Sequence, residues 1–330
     1  MRAWRVHELG EPADVLKLED VSEPAPGPGE VRIDVAAASL NFPDVLMCRG
    51  EYQVKPSLPF TPGSEVAGTV AAVGEGVTTL RPGERVIAIP RFGDGGLAEQ
   101  TLAPAATVYP IPDSLGWPAA AALHITYQTG HLALHRRAAL QPGETLLVHA
   151  GAGGVGSAAI QLGRAAGARV FATAGGPEKV QVCRDLGAEV VVDYRADDFV
   201  AAVKDATDGR GADVIYDPVG GDTFDRSRKC VAFEGRILVI GFTGGRIADA
   251  PTNHVLIKNY AVVGVHWGLY NLMDPGLVRA THDELVRLHG AGEIAPLISS
   301  VLPLDDAAGA LARLATRGTW GKVVCTTAAA

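Results

Sequence analysis

The sequence predicts an α/β protein of two domains, a doubly wound parallel sheet inserted into a barrel-like β domain. Three observations carry this. The chain has 330 residues, more than one hydrophobic core usually serves. Residues 1–121 hold strand-length apolar runs broken by Gly and Pro, whereas 122–261 alternate such runs with amphipathic helical segments. From 262 to 330 the alternation loosens, and this last part is expected to fold back onto the N-terminal body.

In the first region, "EVRIDVAAAS", "PGSEVAGTVAAVGEGV" and "RPGERVIAI" read as strands, and Gly63, Gly68, Gly74 and Gly83 suggest a compact, sharply turning barrel-like body. "DVLMCRG" reads as a short helix with Asp44 as its N-cap. In the second region the strands are "ETLLVHA", "ARVFAT", "AEVVVD", "ADVIYD" and "GRILVIG". The helical segments between them are "GVGSAAIQLGRAAG", "PEKVQVCRDLG", "ADDFVAAVKDATDG" and "GDTFDRSRKCVAFEG". Strands apolar throughout imply a parallel sheet covered on both faces. The tail offers a helix near 274–290, a helix capped by Asp305 or Asp306, and a closing strand.

Composition excludes several classes. Lys plus Arg number 29 against 37 Asp plus Glu, a net charge of -8, which leaves no electrostatic footprint for nucleic acid or an anionic membrane. No apolar run approaches the length of a membrane span, and the charged N-terminus has no secretory core. Four scattered cysteines form no CxxC pair, so a reducing cytoplasm is the expected location.

"LLVHAGAGGVG" sets Gly151, Gly153 and Gly156 in a G-x-G-x-x-G frame between a strand and a helix, the context a dinucleotide fingerprint requires. Ala152, Gly154 and Val155 complete the loop, whose backbone would meet a pyrophosphate at the helix N-terminus. The next strand ends at Ala172, Thr173, Ala174 with no carboxylate for a ribose 2′-hydroxyl, and Lys179 follows. A cation there suits a 2′-phosphate, so NADPH is the expected cofactor; the plainer account is a solvated lysine in a helix's first turn.

With these residues in view, the whole chain resembles the zinc-independent quinone oxidoreductase (zeta-crystallin-like) branch of the medium-chain dehydrogenase/reductases. The residues that carry it are "GETLLVHAGAGGVGSAAIQLGR", "NFPDVLMCRGEY", "LPFTPGSEVAGTVAAVGEGV", "PGERV", "YDPVGG" and "GKVV". The resemblance implies a GroES-like β-barrel-type catalytic domain, a Rossmann domain, a homodimer, and NADPH-dependent reduction of quinones or other conjugated carbonyls. It further implies that Lys179, Tyr194 and Arg317 hold the 2′-phosphate and that Thr126, Phe242 and Lys322 lie near the cofactor. Read alone, Tyr194 is a half-exposed aromatic at a strand end and Arg317 a cation in a helix's last turn.

Zinc-dependent relatives carry Cys where this chain has Asn41 and Gly-His-Glu where it reads "PGSEVAG", so Ser64 stands before Glu65. Asn41, Ser64 and Glu65 are a poor ligand set, and no metal is expected. His131 and His135, four apart on a helix with His124 further back, read as polar helix positions rather than ligands. Hydride transfer to a conjugated system spreads charge as phenolate or enolate and needs only hydrogen-bond donors and a proton. The nicotinamide is expected in the cleft between the domains. Asn41 would donate to the developing oxyanion, Tyr52 would supply a hydrogen bond or proton, and Asp44 would orient its neighbours. Asn41 as a turn residue and Tyr52 as a half-buried aromatic are the bland readings. His266 and Trp267 either wall the pocket or pack in a core or interface. Two other functions stay open, an enoyl-thioester reductase and a non-catalytic NADPH- or RNA-binding protein.

Overall fold

The computed structural model describes residues 1–328 and comprises two compact units, Met1–Ile125 with the chain from Pro296 onward, and Thr126–Ala295. The first unit opens with an antiparallel pair, β1 (Arg2–Val6) and β2 (Leu16–Asp20). Its long strand β3 (Glu30–Ser39) buries alternate residues Val31, Ile33 and Val35, then runs buried from Ala36 on. It pairs antiparallel with β4 (Val66–Val73), which pairs with β5 (Arg85–Ala88); β6 (Gln100–Pro104) also joins β3, and β7 (Val108–Pro110) joins β5. A Cβ on Gly68 would stand 2.1 Å from the Asp34 carbonyl, so β3 and β4 reach this spacing only with glycine there.

Between β3 and β4 lies the helix Phe42–Arg49, ended by Gly50 at φ 70. Its N-cap is Asn41 in extended conformation, not Asp44 as the sequence predicts. Pro43, without an N–H, fits the first turn, which moves the start upstream and leaves Asp44 bonding back to the Asn41 amide.

The inserted unit is a six-stranded parallel sheet of β8 (Thr145–Val148), β9 (Arg169–Ala174), β10 (Val190–Asp193), β11 (Ala212–Asp217), β12 (Val231–Val239) and β13 (Ala261–Gly264). The order β10-β9-β8-β11-β12-β13 reverses direction at β8, the switch point where such sheets bind ligands. Helices Gly154–Ala165, Pro177–Asp185, Phe199–Asp205 and Gly221–Ser227 connect the strands. The segment "GDTFDRSRKCVAFEG" is helical only through Ser227, because Val231 already pairs with Ala212 in the sheet. The helix Pro275–Gly290 belongs to this unit, burying Val278, Leu285 and Leu288, with Gln128 donating to the Val278 carbonyl at 2.8 Å. The chain therefore returns to the first unit near 296, later than the 262 expected from texture.

On its return it adds β14 (Ile298–Pro303) and β15 (Lys322–Thr326), which joins β3 to complete a seven-stranded sheet. Asp306 is the N-cap of the helix Ala307–Ala315, without a capping bond from its side chain. Arg317 lies beyond that helix at φ 59 and not in its last turn, since Thr316 already ends it. Val31, Ile33, Phe60, Leu97 and Leu311 centre one core, and Leu147, Phe171, Ile215 and Ile237 the other. Among the described residues no helix is long and apolar enough to cross a membrane.

Candidate active site

In the first unit, the ends of β3 and β15, the helix Phe42–Arg49 and the loop before β4 bring Asn41, Asp44, Ser64, Glu65 and Lys322 into one buried network. Lys322, 4% exposed, donates to the Leu40 carbonyl (3.0 Å), Asn41 Oδ1 (2.6 Å) and Glu65 Oε1 (2.9 Å), which satisfies all three ammonium hydrogens. The Asn41 side-chain amide donates to the Ser39 carbonyl at 3.1 Å and to Glu65 Oε1 at 3.0 Å. Glu65, wholly buried, accepts the Ile125 amide on its other oxygen at 2.8 Å. Asp44 accepts the Asn41 amide (2.8 Å), the Gly63 amide (3.2 Å) and the Ser64 hydroxyl (2.6 Å). Burial pushes its carboxyl up, and these three donors and the Lys322 charge offset only part of that.

Tyr52 follows the helix and lines a hollow of about 240 Å³ with Leu9, Met47, Val54, Pro56 and Leu58, and Lys55 at its wall. Leu9, Val54 and Leu58 are 49%, 58% and 44% exposed, an apolar cluster open to a ligand. Burial, and then the Asp44 charge, pushes the Tyr52 phenol up, so it stays protonated and donates a hydrogen bond at neutral pH. Cys48, on the buried face of this helix, is an inert thiol, pushed up to about 12 by burial.

In the second unit the loop after β8 turns back on itself. The Gly151 amide reaches the Thr173 carbonyl at 2.9 Å, the Gly153 amide bonds Ala150 O, and Gly153 caps the helix Gly154–Ala165. A Cβ on Gly156 would lie 2.2 Å from Ala150 O, and one on Gly151 would press on Cys183 and Ala172 at 2.8 and 3.0 Å. These glycines hold the first-turn amides of Gly154, Val155 and Gly156 at the strand ends, without intrahelical acceptors, as an anion cradle. The Thr173 hydroxyl turns inward to His149 Nδ1 at 3.0 Å, and His149 Nε2 meets the Ser227 hydroxyl at 2.8 Å. Burial lowers this imidazole to about 3, so it is neutral and braces the loop from beneath.

The turn Gly175–Gly176 joins β9 to the helix carrying Lys179. The Tyr194 hydroxyl packs so close that a Cβ on Gly175 would be 2.5 Å away, and Tyr194 is 51% exposed. Phe242, 40% exposed, lies against Gly220 in the same unit. Thr126 is buried. His131 and His135 share a face, with rings 4.4 Å apart. His266 is exposed and Trp267 half-buried.

Comparison with known proteins follows this geometry. Residues 27–113 match the alcohol dehydrogenase GroES-like domain and residues 154–282 the zinc-binding dehydrogenase domain. The sequence is 40% identical over 329 residues to a quinone oxidoreductase-like protein 2 homolog of Nematostella vectensis, covering 99% of this chain and 89% of that protein. The chain belongs to the quinone oxidoreductase-like branch of the medium-chain dehydrogenase/reductases.

Two solved structures of such reductases superpose over nearly the whole chain. One is a mycobacterial protein complexed with NADPH, at 33% identity and TM-score 0.91, covering 99% of both chains. The other is Escherichia coli quinone oxidoreductase complexed with NADPH, at 29% identity and TM-score 0.92, covering 99% of this chain and 100% of that one. The fold class read from the sequence, a GroES-like domain with a Rossmann domain, is thus the fold of this reductase.

Within the first unit, the structure brings Asn41, Asp44 and Lys322 together, with the Lys322 ammonium bonded to Asn41, Glu65 and the Leu40 carbonyl. Sequence reasoning missed the Glu65–Lys322 pair. The signal was available, because a lysine opening the apolar closing strand "KVVC" is buried only with a carboxylate for company. The Tyr194 hydroxyl lies against the Gly175 turn that leads into the helix carrying Lys179, whereas Arg317 belongs to the first unit.

Proposed function

We propose that this protein is an NADPH-dependent oxidoreductase that reduces quinones or other conjugated carbonyls without a metal. The observation that carries the metal-free part is the Lys322 ammonium, seated among Asn41, Glu65 and the Leu40 carbonyl. A divalent cation beside those donors would meet a buried positive charge, and both Glu65 oxygens and the Asn41 amide are already committed. The same commitment redefines Asn41: it braces the site, and an oxyanion would have to displace one of its two bonds.

The cradle of Gly151, Ala152, Gly153, Gly154, Val155 and Gly156, with Lys179 and Tyr194 at the next turn, fits a phosphorylated dinucleotide, and the two neighbouring structures bind NADPH. When bound, NADPH supplies the hydride. Tyr52 is left as the polar donor on an apolar wall, and it would hydrogen-bond the carbonyl oxygen that gains charge. Asp44 holds the Asn41–Ser64 loop, and water or Tyr52 supplies the proton that completes the hydroquinone or ketone. The apolar wall supports a quinone or enone over a coenzyme-A thioester, whose phosphates would need a basic groove.

The test is NADPH oxidation with a simple quinone, an enone and an enoyl-CoA ester, with and without chelator. Turnover of the first two, unchanged by chelator, is expected; turnover of the thioester alone, or loss on chelation, sinks the reading. Tyr52→Phe is expected to lower kcat roughly tenfold or more through loss of one hydrogen bond to a charged oxygen. Unchanged kcat with both acceptors would leave the proton and the donor role to water.

The reading extends to a homodimer in the cytoplasm. β13 ends the parallel sheet, and Leu256, Ile257, Leu272 and Met273 nearby are 78%, 80%, 70% and 75% exposed. Such a patch beside an open strand edge is best covered by a second copy. Light scattering is expected to report two chains, with Ile257→Asp shifting the protein to one; a wild-type monomer at micromolar concentration overturns it.

A further inference from the structure

We propose that Arg195 is a specificity-determining residue for the cofactor's 2′-phosphate, completing with Lys179 and Tyr194 a cationic pocket over the Gly175–Gly176 turn. The inference rests on the NADPH reading and adds a residue to it. Arg195 follows Tyr194 just after β10, and its side chain folds back across the neighbouring strand's turn. Its Nε would lie 3.0 Å from a Cβ on Gly175 and its Nη1 3.3 Å from one on Gly176. Glycine at both positions therefore lets a guanidinium and a phenol lie directly on the backbone where β9 ends, the place where the ribose of a dinucleotide is read in this fold.

Charge completes the case. Lys179 is held below its ordinary range by burial and then by the Arg195 charge, so two cations face the same turn. The nearby acid, Asp193, does not reach outward as a ribose ligand would. Its Oδ1 accepts the Gly176 amide at 3.0 Å and the Arg195 amide at 3.0 Å, which fixes the turn and aims Arg195. Glu178 is the other carboxylate acting on Lys179. Among the described residues the Arg195 guanidinium forms no salt bridge, although most other arginines of the chain do. A dianion between the half-buried Lys179 and the exposed Arg195 would relieve their repulsion and accept charge-assisted hydrogen bonds from both.

The experiment compares binding of 2′,5′-ADP and 5′-AMP to the full-length protein by calorimetry, with kcat/KM for NADPH and NADH in parallel. Arg195 is exposed, so its variants are not expected to disturb folding. For Arg195→Ala, affinity for 2′,5′-ADP is expected to fall roughly 10- to 100-fold, while 5′-AMP changes less than twofold. Arg195→Lys should recover part of the loss, as a point charge without the bidentate fork. Equal loss for both nucleotides, or none, overturns the assignment of Arg195 alone. Wild-type protein that binds the two equally overturns the NADPH reading, and this assignment with it.

Discussion

Lys322→Met is expected to lower the stability of this reductase by about 3–5 kcal/mol, because it leaves the fully buried Glu65 carboxylate with its cation gone. The size follows from asymmetry. A buried pair contributes little net stability over an apolar pair, but removing one member strands a charge in low dielectric. Chemical denaturation followed by circular dichroism measures it as a lower midpoint at unchanged slope. Adding Glu65→Leu to Lys322→Met should restore a large part of the loss, since no charge is then left unpaired. A single-variant loss under about 1 kcal/mol would mean that the pair is hydrated and does not hold the Asn41 loop.

Gly156→Ala is expected to weaken NADPH binding roughly 10- to 100-fold. The new Cβ would be 2.2 Å from Ala150 O, a backbone atom that cannot swing aside, so either the loop or the helix Gly154–Ala165 must move. Overpacking of this kind costs roughly 1–3 kcal/mol, and here the displaced atoms are the amides of the cradle. Gly153→Ala strains the loop less, since its Cβ meets Ala150 O at 3.2 Å, so a loss of affinity there reports crowding of the pyrophosphate and not movement of the helix. Nicotinamide fluorescence titration reads both. Equal Kd for wild type and Gly156→Ala would show that the helix is free to slide and that the glycine is not what sets its approach.

The two units differ in how openly the sequence displays them. The parallel sheet is legible because each of its strands is a short apolar run and each connection carries helical periodicity; Arg169–Ala174, Val190–Asp193 and Ala212–Asp217 stand within the runs that announce them. The glycine frame is legible for the same local reason, since a tight turn, a close approach and a close packing each demand a missing side chain within six residues. Boundaries were harder. The helix Pro275–Gly290 looks like the start of the returning segment in composition, yet its buried face of Val278, Leu285 and Leu288 belongs to the inserted unit.

The three residues proposed for the site stand out in the sequence as a group, and their partners do not. Asn41, Asp44 and Tyr52 lie in one short stretch, and their polarity beside apolar neighbours marks them. Whether an amide has a hydrogen bond left to give depends on what stands opposite, and for Asn41 those partners are Glu65, 24 residues away, and Lys322, 281 away. Arg195 went unremarked because its neighbour Tyr194 carries the resemblance, and the fold-back of a side chain over the turn after the preceding strand has no local signature.

The sequence by itself determined the fold class, the glycine frame between β8 and its helix and the lack of a good zinc ligand set at Asn41, Ser64 and Glu65, because each is written in residue type and short spacing. Only the tertiary structure decided that a lysine from the closing strand sits among those side chains, and that Arg195 lies over the Gly175–Gly176 turn close enough for its charge to act on Lys179. Both depend on strands far apart in the chain lying side by side, where the Coulomb energy of a contact is set by distance and burial rather than by order in sequence.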